Sequence, residues 1–412
     1  MVKCEKFIPG GFALGTADDG KKCFFWNALP GEIVTEYKIT KNKPSYLEAI
    51  ATTISNPSPY RVEPRDKCFL STSPWQILDY DYELKQKSLL IQEIFREHEI
   101  PIVPPEVVTD GKDYNYRNKM EYALYYDHEK ARIFPAFHQR GSHQKIPISK
   151  SSIERPEIFK KALEIIDDLN IRGEEARKYQ SLLLRCSQNG EVSGGLYENK
   201  KPHPIFENLK DNILGHEYSY SPNGFFQINL PVYELALLEI KKYIKTDEVL
   251  DLYAGVGTIG LSVARDKNLT LVEVDNFAFG EMCKNVAIED NTERGSASTS
   301  AGRPWRRADR TRVRNGNILA LLAKSEEVLE YIAPNQTVIL DPPRAGCDRK
   351  LIDRLLEVSP KQIVYLSCNP ATQARDVKML LTKYQIEAIK TFNFFPRTPH
   401  TENLIILEPK NG

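Results

Sequence analysis

Ser367-Cys368-Asn369-Pro370 lies near the end of the chain, with Pro399-His400-Thr401-Glu402-Asn403 further on and the glycine loop Asp251-Leu-Tyr-Ala-Gly-Val-Gly-Thr-Ile-Gly260 upstream of both. An ionised thiol is a strong nucleophile, and a carboxylate can act as a general base. With a glycine loop suited to an adenosyl cofactor, the set fits methylation of a pyrimidine ring carbon. C5 of uridine is too weak a nucleophile until a group adds at C6, and a cysteine thiolate is suited to that addition. His400 is a rival base. For Cys368 the alternative is a buried structural thiol, the more natural reading of the other six cysteines, Cys4, Cys23, Cys68, Cys186, Cys283 and Cys347.

The elements that must position these groups alternate strand and helix beyond Ser221-Pro-Asn-Gly-Phe-Phe-Gln-Ile-Asn229. Apolar runs at Glu248–Tyr253, Leu269–Val274, Thr337–Asp341, Gln362–Ser367 and Asn403–Glu408 predict an α/β, doubly wound sheet covered on both faces. In such a sheet ligands sit at the carboxyl ends of the strands. The glycine loop, Asp341-Pro-Pro-Arg344 and Ser367-Cys-Asn-Pro370 each follow a strand directly, so three distant motifs converge on one rim. Taken alone, Gly255-Val-Gly-Thr-Ile-Gly260 also fits a dinucleotide fingerprint, with Glu273 near the ribose-binding distance. Asp251 tilts the reading toward S-adenosylmethionine, because an acid there can meet the cofactor's ammonium group.

The first 65 residues read as all-β. Asp18-Asp19-Gly20 is a hairpin signal between Phe12–Gly15 and Lys21–Trp26, and strand-like runs follow at Glu32–Thr40 and Tyr46–Ile54. Several short strands in so few residues predict a small OB-like barrel. Lys21, Lys22, Lys38, Lys41 and Lys43, interleaved with Phe24, Phe25 and Trp26, could grip phosphates and stack bases; a solvated lysine face over an aromatic core explains them equally well. A central α+β region, 66–215 and open to being discontinuous, carries helices over Tyr82–His98 and Glu157–Leu169. Between them Arg117, Lys119 and Arg140 are candidate RNA-backbone contacts, although surface cations usually only solvate a fold. The catalytic region is expected over 216–412.

Lys+Arg 56 balance Asp+Glu 56, so nucleic acid must be held by local basic patches rather than by a global field. The scattered, odd-numbered cysteines include no C-x-x-C pair and imply neither a disulfide framework nor a zinc site. No apolar run approaches a membrane span and Met1-Val-Lys-Cys-Glu5 is not a signal peptide, so the expectation is a cytoplasmic protein with reduced thiols.

Gly224-Phe-Phe-Gln-Ile-Asn229, Asp251–Gly260, Asp341-Pro-Pro-Arg-Ala-Gly346, Ser367-Cys-Asn-Pro-Ala-Thr372 with Arg375-Asp376, and His400-Thr-Glu-Asn403 resemble, in order and spacing, the RNA uracil-5-methyltransferase family. Arg117-Asn-Lys-Met-Glu121 extends the resemblance, and the barrel is similar to that family's TRAM domain, an RNA-binding module. The resemblance covers nearly the whole chain. It implies a class I, Rossmann-like catalytic domain in which Cys368 is the nucleophile and Glu402 the base. It also implies that Gln227, Tyr253, Thr258, Glu273 and Asp341 line the S-adenosylmethionine site, with Glu273 on the ribose hydroxyls and Asn317, at the end of a strand, near the adenine. The family's last strand is antiparallel, which brings Glu402 to the same rim as Cys368. The implied partner is RNA, with 23S ribosomal RNA favoured over transfer RNA because of the attached barrel, and the implied state is a monomer.

Two features depart from the family pattern. Many members hold an iron-sulfur cluster on four cysteines; here only Cys68 stands near, with Ser73 and Ser151 where cysteines are expected, so no cluster and no metal is predicted. Asn291–Arg314 is a long connection in which seven arginines face two acids, suggesting either an RNA-gripping arm or a tolerated insertion. Two other activities compete. An amino-group methyltransferase would leave the Cys/Glu pair unused and puts Arg344 where a stacking aromatic belongs. A non-catalytic RNA-binding or RNA-folding protein has no use for either residue.

Overall fold

The structure is a computed structural model that describes residues 1–203, 206–287 and 312–410. Most of the Asn291–Arg314 connection therefore lies outside the described residues. Five strands, β1 (Val2–Phe7), β2 (Ala13–Thr16), β3 (Lys22–Trp26), β4 (Ile33–Asn42) and β5 (Tyr46–Ser55), close a barrel in the order β1-β2-β3-β5-β4. The Asp18-Asp19-Gly20 hairpin forms as read, with Gly20 at φ +82°. The first strand was not anticipated, although Val2, Cys4 and Phe7 turn inward into the barrel core.

A short helix α1 (Phe69–Thr72) and the long helix α2 (Tyr80–Glu97) follow, and then β6 (Val107–Val108). Asp79 caps α2 by accepting from the Tyr82 N–H, as an N-cap aspartate does. The expected block 66–215 is not one packing unit. Leu90 on α2 joins the barrel core, Ile91, Ile94 and Phe95 join the core of the large C-terminal sheet, and β6 extends that sheet's edge. The helix is amphipathic as expected, but its apolar residues are shared between two neighbours rather than buried in a central core.

The central sheet runs β12-β11-β10-β7-β8-β9, with β7 (Lys119–Asp127), β8 (Arg132–His138), β9 (Lys145–Pro147), β10 (Ser181–Cys186), β11 (Val192–Glu198) and β12 (Lys201–His203). Helix α3 (Pro156–Ile171) covers it through Ile158, Ala162, Ile166 and Leu169. Ser73 and Ser151, the positions read as missing cysteines, enter a buried polar knot: Ser73 Oγ accepts from Gln76 Nε2 at 2.7 Å and Ser151 Oγ donates to Glu154 at 2.5 Å.

A hairpin, β13 (Leu209–Ile213) with β14 (His216–Tyr220), leads into α4 (Leu230–Tyr243) and packs in the C-terminal core, which therefore begins before 216. The remaining elements are β15 (Glu248–Leu252), α5 (Thr258–Val263), β16 (Asn268–Glu273), α6 (Asn276–Ala287), β17 (Arg312–Asn315), β18 (Ile318–Leu322), β19 (Gln336–Leu340), α7 (Arg349–Val358), β20 (Gln362–Ser367), α8 (Pro370–Leu380), β21 (Tyr384–Phe392) and β22 (Glu402–Pro409). They build a nine-stranded sheet, β17-β18-β16-β15-β19-β20-β22-β21-β6. Its central five strands are parallel and β22 is antiparallel to β20. One face is covered by α4, α5 and α6 and the other by α2, α7 and α8, so the middle strands are apolar on both sides. Among the described residues no helix is long and apolar enough to cross a membrane.

Candidate active site

The carboxyl ends of β15, β19 and β20 and the start of β22 meet on one rim. The β20/β22 register pairs Ser367 with Asn403, which sets Cys368 and Glu402 side by side although their neighbours run in opposite directions. Cys368 is half-buried directly after β20. Asn369 then caps α8, its side chain accepting from the Ala371 N–H and donating to the Arg344 carbonyl at 2.8 Å. Burial pushes the Cys368 thiol up to about 11, with Glu402 and Asp341 adding to the rise. Arg344 opposes them as a nearby cation. Arg344 is the residue at the centre to which the sequence reading gave no role there; its place three residues after Asp341 on a strand end was the available signal.

Glu402 is 4% exposed, and its Oε2 has no hydrogen-bond partner. Burial, reinforced by Asp341, raises its carboxyl well above the usual range against the pull of Arg344. His400 stands at the mouth of the same site. Partial desolvation, followed by the cations Arg344, Lys87, Arg140 and Arg117, holds it down to about 4. It is neutral at pH 7 and a weaker proton acceptor than the carboxylate next to it. A cavity of about 210 Å³ adjoins Cys368, lined by Arg344, Asn369 and His400, by Lys87 and Ile91 of α2, and by Pro9 and Gly10 of the barrel.

The glycine loop turns from β15 into α5. Tyr253 takes φ +67° and Gly257 φ +87°, left-handed conformations that let the backbone fold tightly over the strand ends. A side chain at Gly260 would meet Leu271 at 2.5 Å and the Asp251 carboxylate at 2.9 Å, so it would have to push both aside. Glu273 ends β16 and accepts from the N–H groups of Gly255 (2.7 Å), Val274 (2.8 Å) and Asp275 (2.7 Å). A carboxylate offers about four lone-pair sites, so capacity for one further donor remains. Thr258 begins α5 and is buried close to Tyr233. Gln227 is nearly buried on the Gly224–Asn229 segment. That segment is gripped from the central sheet: Asn118 Nδ2 donates to the Gln227 carbonyl at 2.9 Å, and Arg185, itself fully buried, donates to the Gly224 and Phe226 carbonyls.

Asp251 is fully buried. Its Oδ2 accepts from the Gly260 N–H at 2.8 Å while Oδ1 has no partner, and burial pushes its carboxyl up to about 8. Burial likewise raises Asp341 to about 7. Buried acceptors without partners at Asp251, Asn229 and Glu402, two of them on carboxyls held above their usual range, suit a ligand that brings positive charge and N–H donors. A sulfonium cofactor with an ammonium group has that character, so these residues fit S-adenosylmethionine.

One expected cofactor residue is misplaced. Asn317 precedes β18 instead of ending a strand, because the Gly316 turn (φ +53°) reverses the chain between β17 and β18. It sits at the opposite edge of the sheet, where its amide donates to the carbonyls of Arg265 (2.8 Å) and Lys267 and ties the turn after α5. Of the expected RNA contacts, Lys119 donates to the carbonyls of Asn223 and Gly224, both at 3.1 Å, and so braces the Gln227 segment. Arg117 donates to the Lys119 carbonyl at 2.8 Å. Arg140 lies 4.2 Å over the Trp26 ring and joins central region to barrel. Trp26 continues into Phe12 (4.3 Å), Phe24 and Tyr46, while Phe25 is buried in the barrel core.

A family model described as tRNA (Uracil-5-)-methyltransferase matches residues 205–410. The chain is 26% identical to an uncharacterized RNA methyltransferase of Fusobacterium nucleatum, covering 100% of this chain and 96% of that protein. It is 28% identical to one of Lactobacillus johnsonii, covering 96% and 95%. Among solved structures, Pyrococcus abyssi tRNA (uracil-54, C5)-methyltransferase in complex with S-adenosyl-L-homocysteine aligns with TM-score 0.71 at 24% identity, over 99% of this chain and 100% of that one, and so shares the fold. Since the family match spans half of the chain and takes in all the strand ends of the rim, the chain belongs to the tRNA (uracil-5-)-methyltransferase family and is an S-adenosylmethionine-dependent RNA uracil-5-methyltransferase.

Proposed function

We propose that the enzyme methylates C5 of an unpaired uridine through a covalent adduct between Cys368 and C6. The observation that carries this reading is the β20/β22 register, which gives a thiol and a buried carboxylate with one partnerless oxygen a common rim, with the Arg344 guanidinium nearby. Cys368, half-buried, gives its proton to solvent, and the nearby Arg344 cation stabilises the thiolate that remains. The sulfur then adds to C6, and the electron pair of the C5=C6 bond moves into the enolate, making C5 nucleophilic. Gln227, Tyr253, Thr258, Glu273 and Asp341, with Asp251 beneath the loop, would hold S-adenosylmethionine, whose sulfonium would supply the methyl group to C5 and leave as S-adenosylhomocysteine. Glu402 finally takes the C5 proton, the C–H pair re-forms the double bond, and the C6–S bond breaks to return the thiolate. A carboxyl held above its usual range is well matched to that last transfer.

The target base must leave its stack to reach a half-buried thiol, which favours a loop uridine. The attached barrel, with the Trp26-Phe12-Phe24-Tyr46 ring series, Arg140 over Trp26 and Lys41 over Tyr46, supports large-subunit ribosomal RNA as carrier. Transfer RNA is the second reading, favoured because a tRNA enzyme shares this fold over nearly its whole length. Nucleoside mass spectrometry on ribosomal and transfer RNA lacking 5-methyluridine, with methyl-labelled cofactor, tests both. New 5-methyluridine in one fraction, lost with Cys368→Ala and replaced by a denaturation-stable protein–RNA adduct with Glu402→Gln, is the expected result. Label in any other nucleoside would overturn the mechanism.

A further inference from the structure

The segment that delivers Glu402, Asn393-Phe-Phe-Pro-Arg-Thr-Pro-His400, is mostly buried up to its exposed last residue, yet it is neither helix nor strand. Such a segment needs partners for its backbone polar groups, and here they come from remote parts of the chain. Consecutive carbonyls accept from four places: Phe394 from Asn229 Nδ2 (3.3 Å), Phe395 from Lys87 Nζ (3.1 Å), Pro396 from the Tyr116 hydroxyl (3.0 Å) and Arg397 from the Trp75 N–H (3.0 Å). Arg397 is itself held at φ +63°, a left-handed conformation that a non-glycine residue keeps only when its surroundings enforce it.

The enforcement centres on two charged residues one turn apart on α2. Glu83 and Lys87 are both fully buried and paired at 2.8 Å. Glu83 accepts from the Arg397 N–H with both oxygens, at 3.0 and 3.1 Å, while Lys87 also donates to Asn393 Oδ1 at 2.6 Å. Side chains at 83 and 87 lie on one helix face, so the pair grips both ends of the strained turn at once. Burying two charges is costly unless every donor and acceptor is used, and here the surplus hydrogen bonds all go to this one segment. The barrel presses on it too: a side chain at Gly11 would meet Pro399 at 2.4 Å.

We propose that Glu83 and Lys87 are positioning residues for the general base: by fixing the 393–400 segment they set where Glu402 stands relative to C5, and so govern the last step, proton removal with release of Cys368. The inference rests on the covalent reading above. Mispositioned by the loss of this grip, Glu402 should fail after addition and methyl transfer have occurred, which leaves the RNA attached to Cys368. A merely structural role would lower all steps together.

The test uses the full chain carrying Glu83→Gln with Lys87→Met, which removes both charges and leaves no buried ion unpaired. Asn393→Ala, which takes away one Lys87 acceptor and keeps the ion pair, is the milder second variant. Folding is checked by thermal melting, binding by calorimetry with S-adenosylhomocysteine and by RNA filter binding, and adduct by denaturing gel against the Glu402→Gln enzyme. We expect turnover to fall about 10- to 100-fold, as for a displacement of the order of 1 Å at a reacting group. Adduct should rise toward the Glu402→Gln level while both binding constants stay within about twofold of the parent's. A fall in turnover without adduct, or unchanged turnover in either folded variant, would overturn the proposal. If Glu402→Gln itself traps no adduct, the covalent reading has failed and this inference goes with it.

Discussion

The cofactor rim and the base-bearing segment are built in opposite ways. The rim is made from what lies next to it in sequence: Gly255 donates to Glu273 one strand away, and Gly260 to Asp251 within the same loop. The base segment is tied by residues from the first third of the chain, Glu83, Lys87 and Tyr116 among them. That local construction leaves the glycine loop dependent on little beyond its own strands, whereas the Gln227 segment of the cofactor site is braced from the central sheet by Asn118, Lys119 and Arg185. The remote construction makes the position of the base answer to the barrel, α2 and the central sheet together.

The largest expected effect is at Arg344, whose charge acts on Cys368, Glu402 and His400. Arg344→Ala should slow adduct formation by about 100-fold, the usual consequence of losing one stabilising donor at a developing anion. Binding of S-adenosylhomocysteine should hold. Because the Cys368 thiol is held near 11, its alkylation rate in the parent enzyme should climb about tenfold per pH unit from pH 7 to 10. A plateau below pH 9 on the Cys368 peptide by mass spectrometry would mean that a stronger cationic influence than Arg344 acts on it.

A smaller, paired effect compares glycines of the two regions. Gly260→Ala crowds Leu271 and Asp251, and Gly11→Ala crowds Pro399. Each should cost about 1–3 kcal/mol in a denaturant titration, as overpacking does. Only Gly260→Ala should weaken S-adenosylhomocysteine binding. If Gly11→Ala weakens it equally, the glycine loop is not the local unit described above.

The smallest effect is a proton count. Asp251 and Asp341, near 8 and 7, stand above ordinary carboxyls, so between about pH 4 and 8 the native protein holds more protons than the unfolded chain. Without ligand, these two groups make stability fall as pH rises through that window. A bound cation draws both carboxyls down, so uptake of S-adenosylmethionine at pH 7 should release about one proton, and more than S-adenosylhomocysteine releases. Calorimetry in buffers of different ionisation enthalpy measures this; no release, or uptake, would remove the charge match between rim and cofactor.

Much of the rim was legible because each of its motifs is a strand followed by a turn, and strand periodicity with turn residues is local information. The β15, β19 and β20 ends fall within a residue or so of where the apolar runs stop. Asn317 was misread because a two-residue reversal at Gly316 splits one apparent strand into β17 and β18, which moves the residue to the other edge. The 66–215 block was misdrawn for a related reason: the pattern of α2 reports an apolar face but not which of two neighbours receives it. Arg344 was visible as a residue and invisible as a contact, since its approach to Cys368 depends on how two neighbouring strand ends are spaced.

By itself the sequence determined the α/β sheet, the barrel hairpin, the rim and the types of residue on it, because hydrophobic period, glycine and turn chemistry act over a few residues. The tertiary structure alone decided that Lys87 and Glu83, to which the sequence reading of the Tyr82–His98 helix gave no role, are buried against a segment more than 300 positions away. A charge is assigned to solvent by its own type, and only the packing of the whole chain reveals the rare site where enough partners gather to hold it inside.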